Sequence, residues 1–273
     1  MDGRRWWELE RHLPDGKVAV ATFRRPPRNL MSMAAMTELE GLLAEVAEDE
    51  GVQVLVLTGG VPGFFVAHAD VEDLAKLGAG QPVEGDPGSW GRAFALLEAM
   101  PQPVVAAVDG QAWGGGSELC WACTTRVAST SATFGQPEVL VGIIPGAGGT
   151  QRLPRLIGAG RAAELILSGR LVAADEALRL GMVEAVLPED GFLDAAVVWA
   201  ARFATPPRPA VVAAKRAIVE GLRLPLDEGL RREGELFRAC QTRPDTLAIQ
   251  ARVVERYATA GEDERVTLDP EQG

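Results

Sequence analysis

Cysteine, histidine and lysine are all scarce in this 273-residue chain, and no long apolar run interrupts it. Three cysteines are an odd number and too few for a disulfide framework in a chain of this size. Cys120-Trp121-Ala122-Cys123 spells CxxC, but no second pair stands near it, and the two histidines, His12 and His68, lie elsewhere. No zinc set is assembled, so the two thiols read as small apolar side chains on a buried helix. The longest apolar stretches, 52–58 and 104–108, are strand-sized and fall short of the roughly 18 residues that a membrane-spanning helix needs. The opening residues are charged and contain no apolar segment, so no secretory signal is expected and the cytoplasm is the expected compartment.

Lysine occurs only as Lys17, Lys76 and Lys215, which leaves arginine to supply most of the positive charge. Acid is in excess: Asp+Glu is 38 against Lys+Arg at 27, a net charge of -11. Neither nucleic acid nor an anionic membrane surface is an expected partner, although a local arginine site could still take an anionic substrate. With 47% hydrophobic and 24% charged residues, the composition is that of a globular protein and not of a collagen, a coiled coil or a disordered chain.

Hydrophobic periodicity predicts strands over 17–23, 53–58, 103–108, 126–129 and 182–187, alternating with helices over 33–49, 89–100, 151–157, 162–167 and 173–180. Nearly continuous apolar strands followed by helical crossovers point to an α/β fold with parallel strands buried on both faces. The Pro- and Gly-rich stretch 78–88 reads as a loop and a candidate lid. Beyond Glu189 the strand signal stops, and helices are predicted over 192–203, 210–220, 226–240 and 246–257. The tail after Gly261 is acidic and expected to fray.

Three segments could carry chemistry. Gly114-Gly115-Gly116 sits at a strand-to-helix turn, where glycine lets the backbone approach a ligand and the first helical N–H groups can receive negative charge. Glu118 follows in the first turn, where a carboxylate is also favoured by the helix dipole alone. Glu138, between Pro137 and the apolar run 139–144, is an isolated acid whose pKa desolvation would raise toward a useful acid–base range. Phe64–Val71, containing Ala67, His68, Ala69 and Asp70, follows a buried strand, and loops at strand ends are frequent ligand sites. The glycine-rich stretches contain no phosphate loop of the GxxxxGK[ST] type, and Gly158–Ala163 matches G-x-G-x-x-A only after a helix, the wrong context for a dinucleotide.

Taken together, these segments resemble the enoyl-CoA hydratase/isomerase, or crotonase, superfamily. Gly114-Gly115-Gly116-Ser117-Glu118-Leu119 is similar to its G-G-G-x-E-L. The run from Phe134 to Leu153, F-G-Q-P-E-V-L-V-G-I-I-P-G-A-G-G-T-Q-R-L, resembles its most characteristic stretch, and Arg25-Pro26-Pro27-Arg28-Asn29 its N-terminal R-P…N turn. The resemblance runs from about Val18 to about Lys215, with the C-terminal helices matching loosely. It implies a crotonase-like spiral of β-β-α turns over 1–200 carrying the active site. It further implies a helical C-terminal trimerisation region over 201–273, building trimers or dimers of trimers.

The implied substrates are acyl-CoA thioesters, with coenzyme A arriving as part of the substrate and no metal or other cofactor. The backbone N–H groups of Ala69 and Gly115 are the implied oxyanion donors, and Glu118 and Glu138 the implied catalytic carboxylates. Spacing alone does not fix which is acid and which base; Glu118 is taken as the base toward water and Glu138 as the acid. Implied substrate contacts come from Arg28, Leu30, Ala67, His68, Asp70, Gly114 and Pro137, with Phe237 and Arg256 aligned loosely to positions that touch CoA, from a neighbouring subunit. His68 departs from the family's A-G-A-D, since Ala67-His68-Ala69-Asp70 has an imidazole where glycine is usual. Either the backbone there tolerates a side chain and the ring is incidental, or His68 reshapes the acyl pocket. Two retained acids favour enoyl-CoA hydratase over an isomerase, a dehydratase or a decarboxylase of the same superfamily, and over a non-catalytic binding paralogue.

Overall fold

In the computed structural model, which describes residues 5–13, 15–261, 265, 266 and 268, the chain divides into two units, Met1–Ala201 and Arg202–Gly273. The opening residues 1–4 and most of the tail expected to fray lie outside the described residues.

The first unit opens with β1 (Trp7–His12), β2 (Val18–Phe23), α1 (Met33–Glu48), β3 (Val54–Gly59), α2 (Val71–Gly78), α3 (Ser89–Ala99) and β4 (Val104–Val108). It continues through β5 (Gln111–Trp113), α4 (Gly115–Ala122), β6 (Thr125–Ser129) and β7 (Thr133–Gly135) to a 3-10 helix, Pro137–Val141. It closes with α5 (Gly149–Ile157), α6 (Ala159–Ser168), β8 (Leu171–Ala173), α7 (Ala174–Leu180), β9 (Ala185–Leu187) and α8 (Phe192–Ala201). Six strands form one sheet in the order β1-β2-β3-β4-β6-β9, with β1 antiparallel to β2 and every other pair parallel. A second sheet, β5-β7-β8, is parallel between β5 and β7 and antiparallel between β7 and β8. This is the mixed α/β architecture that the apolar strands predict.

Side-chain alternation accounts for the layers. Ala19, Ala21, Leu55 and Leu57 join the main core with Leu39, Leu42 and Leu43 of α1 and Leu97 of α3. Val18, Val20, Val54 and Val56, one residue out of phase, are equally buried on the opposite face, where α8 lies against β2, β3 and β4. Strands covered on both faces read as continuous apolar runs, which is why they were legible. Cys120 and Cys123 are buried free thiols, as expected of small apolar side chains.

The structure departs from the sequence expectations at the margins. β1 was not anticipated: its sequence, WELERH, buries Trp7 and leaves most of the other side chains partly or fully exposed, as suits an edge strand. The 139–144 run was expected to enclose Glu138 in apolar surroundings, yet Leu140, Val141, Ile143 and Ile144 are exposed. Leu140 and Val141 end a surface 3-10 turn and Ile143 and Ile144 follow it, so the run does not enclose Glu138. The 79–88 loop is tied to α1, with Asp86 N–H donating to Thr37 Oγ1 at 2.9 Å and Arg92 bridging Asp86 and Glu40.

The second unit consists of α9 (Arg208–Gly221), α10 (Leu226–Gln241) and α11 (Pro244–Thr259). Proline stands in the first turn of α9 and of α11, where its missing N–H has no intrahelical partner to lose. Among the described residues no helix is long and apolar enough to cross a membrane.

One buried side chain sets the path of the chain as it leaves β2. Asn29, fully buried, has φ 54°, a left-handed conformation that asparagine tolerates better than most residues. Its Oδ1 accepts from Arg25 N–H at 2.7 Å, and its Nδ2 donates to the carbonyls of Phe23 at 3.0 Å and Phe65 at 2.5 Å. Asn29→Ala removes all three bonds and leaves buried backbone groups unsatisfied, so it is expected to lower unfolding free energy by roughly 2–4 kcal/mol in a urea titration. A loss below about 1 kcal/mol, the net worth of a single hydrogen bond, would show that this knot does not hold the turn.

Candidate active site

The Asn29 turn runs directly into the first half of the site. Met31 pairs in parallel with Ala69: Met31 N–H donates to His68 O at 2.9 Å and Asp70 N–H to Met31 O at 2.8 Å. In such a ladder the intervening residue turns its own polar groups the other way, so the Ala69 N–H faces away from Met31. It has no acceptor among the described residues. Asp70 itself is taken up structurally, capping α2 through Glu72 N–H at 3.1 Å and pairing with Arg25 Nη1 at 2.7 Å.

The second half is the glycine turn at the start of α4. Gly114 has φ 50° and ψ -123°, open to glycine and strained for any side chain, and its N–H donates to Gly135 O at 2.9 Å. Gln136, fully buried, donates through Nε2 to Gly114 O at 2.9 Å and fixes the turn from the other side. A Cβ on Gly116 would stand 1.9 Å from Val66 O, so only glycine lets the helix start approach the 66–69 segment. Gly115, the first residue of α4, has an N–H without an intrahelical acceptor and with none elsewhere among the described residues. A Cβ on Gly115 would meet the Ala69 methyl at 3.2 Å. Two unpartnered backbone donors therefore stand side by side.

Glu118 and Glu138 border these donors in different environments. Glu118 is 3% exposed. Its Oε1 accepts from Ala147 N–H at 2.8 Å and Gly149 N–H at 2.7 Å, the latter an orphan donor at the start of α5. Burial pushes its pKa up, while the two N–H groups and the Arg152 guanidinium pull it back toward the ionised form. Arg152 is held by Glu98 at 2.8 Å and donates to Ala147 O at 2.9 Å, so one ion pair fixes the loop that grips Glu118. Glu138 has none of this support. Both its carboxylate oxygens are buried and without a partner among the described residues. Desolvation raises its pKa to about 7, opposed in part by its own backbone N–H and assisted to a smaller extent by the nearby Glu118 charge. Its Oε1 would lie 3.1 Å from a Cβ on Gly114.

The remaining residues singled out from sequence are placed as follows. Ala67 is buried, Leu30 and Pro137 are half-buried, and Arg28 is exposed with no ion pair among the described residues. His68 is absent from the positive-φ positions, so the backbone here does not require the glycine usual in the family. Its Nδ1 makes a 2.7 Å hydrogen bond with Ala69 O, donating in the tautomer protonated at Nδ1. Phe237 and Arg256 lie on α10 and α11 in the second unit. Gln136, Arg152, Glu98 and Trp90 were not singled out. Gln136 and Arg152 lie inside the quoted 134–153 run and could have been weighed there. Glu98 and Trp90 join the site through folding alone.

Known proteins resemble the chain over most of its length. Residues 15–257 match the family model described as enoyl-CoA hydratase/isomerase. The chain is 37% identical to the short-chain-enoyl-CoA hydratase of Clostridium acetobutylicum, over 90% of this chain and 95% of that one. It is 39% identical to the crotonyl-CoA hydratase of Syntrophomonas wolfei, over 82% and 86%. The crystal structure of enoyl-CoA hydratase from Bacillus anthracis superposes with a TM-score of 0.83 at 35% identity, covering 92% of this chain and 97% of that one.

The raised pKa of Glu138 has a measurable consequence for stability. A carboxyl that titrates near 4.5 ordinarily and at about 7 in the folded protein keeps its proton longer when folded, so stability present below pH 4.5 is lost as pH rises through 7. Urea unfolding from pH 4.5 to 8 is expected to show wild type losing stability relative to Glu138→Gln across that window. Parallel pH profiles would contradict the assignment.

Proposed function

The chain belongs to the enoyl-CoA hydratase/isomerase family, and on that premise we propose that it is an enoyl-CoA hydratase, adding water reversibly to a 2-enoyl-CoA thioester to give the 3-hydroxyacyl-CoA. The observation that carries the reading is the pairing of two partnerless N–H groups, on Ala69 and Gly115, with two buried carboxyl groups of unequal pKa, Glu118 and Glu138.

The thioester oxygen accepts from both N–H groups. Glu118, its ionised form supported by Ala147, Gly149 and Arg152, takes a proton from water as the water oxygen bonds to C3. The C2=C3 electron pair moves toward C1, and the resulting enolate oxygen is stabilised by donors each worth about 3–4 kcal/mol in preorganised sites. Glu138, whose pKa near 7 leaves it protonated in part at neutral pH, delivers its proton to C2. Proton return from Glu118 to Glu138 closes the cycle, and the reverse sequence dehydrates the product. No metal or redox cofactor takes part in these steps, and coenzyme A remains attached to the acyl group throughout.

The wider assignment follows the same reading. Arg28 is a free cation for a CoA phosphate, with Leu30, Ala67, His68, Asp70, Gly114 and Pro137 contributing to the substrate surface. We take the 201–273 region as the trimerisation region, supported by the exposed apolar side chains Leu226, Leu230 and Phe237 of α10 and Val254 and Tyr257 of α11. Phe237 and Arg256 are assigned to a neighbouring subunit's CoA site. The cytosol, where buried free thiols stay reduced, is the assigned compartment.

With crotonyl-CoA, loss of the conjugated enoyl-thioester absorbance is expected for wild type, and Glu118→Gln and Glu138→Gln should each lower kcat by roughly 10²–10⁴-fold. Full activity in either variant would remove that carboxyl from the mechanism, and no turnover by wild type would overturn the hydratase reading.

A further inference from the structure

Trp90, in the first turn of α3, reaches the glycine that supplies one of the two free N–H groups. Its Cη2 and Cζ3 stand 2.7 Å and 3.1 Å from where a Cβ on Gly115 would be, beside the Ala69 methyl. The far edge of the indole is thus packed against Gly115, with the Ala69 methyl next to the same point. The ring also meets Phe94, one turn along α3, at 5.8 Å between centroids and 62° between planes, and Phe94 in turn lies under the Arg152 guanidinium. Trp90, Phe94, Arg152 and Ala147 are therefore joined by consecutive contacts into one wall that runs from Gly115 to the buried Phe94, whereas Arg28 is exposed.

An acyl-CoA must lie across this site with its large, charged nucleotide toward solvent and its acyl carbons toward the core. The carbons beyond C3 are then directed at the wall that Trp90 heads. A second observation bears on this side chain: its Nε1, like that of Trp121 in the core, is buried with no hydrogen-bond partner among the described residues. A phenylalanine at the position would leave no orphan donor, but it would also fall short of Gly115. The chain carries the penalty of an unsatisfied N–H together with the extra reach of the indole. Local rules are most often broken in this way where function requires it.

We propose that Trp90 is the specificity-determining residue of the acyl subsite, ending it close to the thioester and restricting the enzyme to short-chain 2-enoyl thioesters. The inference rests on the hydratase reading. It assigns Trp90 no part in proton transfer; the indole acts on how long a chain can follow the reacting carbons into the site.

The test is the ratio of kcat/KM for decenoyl-CoA to that for crotonyl-CoA, measured for wild type, Trp90→Ala and Trp90→Phe, with hexenoyl-CoA between. Wild type is expected to favour crotonyl-CoA strongly, and Trp90→Ala to raise the ratio by roughly tenfold or more, the discrimination typical of a few methylene groups in an apolar pocket. Trp90→Phe, which keeps an aromatic ring on α3 and carries the test should the alanine variant not fold, is expected to move the ratio in the same direction by less. A merely structural loss would lower both rate constants and leave their ratio unmoved. Wild type that hydrates crotonyl-CoA yet accepts decenoyl-CoA equally well, or variants with an unchanged ratio, would overturn the inference while leaving the hydratase reading intact. Wild type that hydrates none of the three would overturn both.

Discussion

A carboxylate can be buried in a protein only where donors replace the water it loses, and at Glu118 that requirement organises the site. One oxygen takes two N–H groups, from Ala147 and Gly149, so α4 and the start of α5 are joined through a single atom. The two N–H groups can converge only if the 147–149 loop is held in shape, and the Glu98–Arg152 ion pair with the Arg152 bond to Ala147 O holds it. On the other side, α4 can begin where it does only because Gly116 lets its backbone meet Val66 O, and because Gly114 accepts its dihedral angles and is fixed by Gly135 and Gln136. The geometry of the candidate site is a consequence of satisfying buried polar groups.

The same logic separates the two acids. Glu118 and Glu138 are both desolvated, and each would drift toward its neutral form if burial acted alone. Only Glu118 receives compensating donors and a nearby guanidinium. The proton is therefore more easily lost from Glu118 and more readily kept by Glu138, whose oxygens have no donors to favour the charge. Two residues of one chemical type acquire different proton affinities from their surroundings, and the proposed acid and base roles follow from that difference.

What the sequence disclosed follows from how local each signal is. β3 and β4 were legible because strands covered on both faces are apolar throughout, and α1 because a 16-residue helix repeats its apolar face several times. β5, β7 and β8 were not, since three residues by themselves cannot establish a period; β9, equally short, was marked by the longer, mostly apolar stretch 182–187 around it. β1 was missed because an edge strand buries little. Glu118 and Glu138 stood out by their glycine and proline surroundings, but the source of Glu138's burial did not, for the apolar run beside it turns to solvent. Arg152 and Glu98 are 54 residues apart, and Trp90 reaches Gly115 only through the packing of α3 on the core. No spacing rule links such partners.

The proposed reaction adds the elements of water across the double bond, oxygen to C3 and a solvent-derived proton, delivered by Glu138, to C2. The direct measurement is turnover of crotonyl-CoA in water enriched in oxygen-18 and deuterium, with the product read by mass spectrometry and NMR. The account predicts one heavy oxygen at C3 and one deuterium at C2, in a single configuration. Deuterium entering carbon without heavy oxygen at C3 would show that the site moves protons but does not add water, and would contradict it.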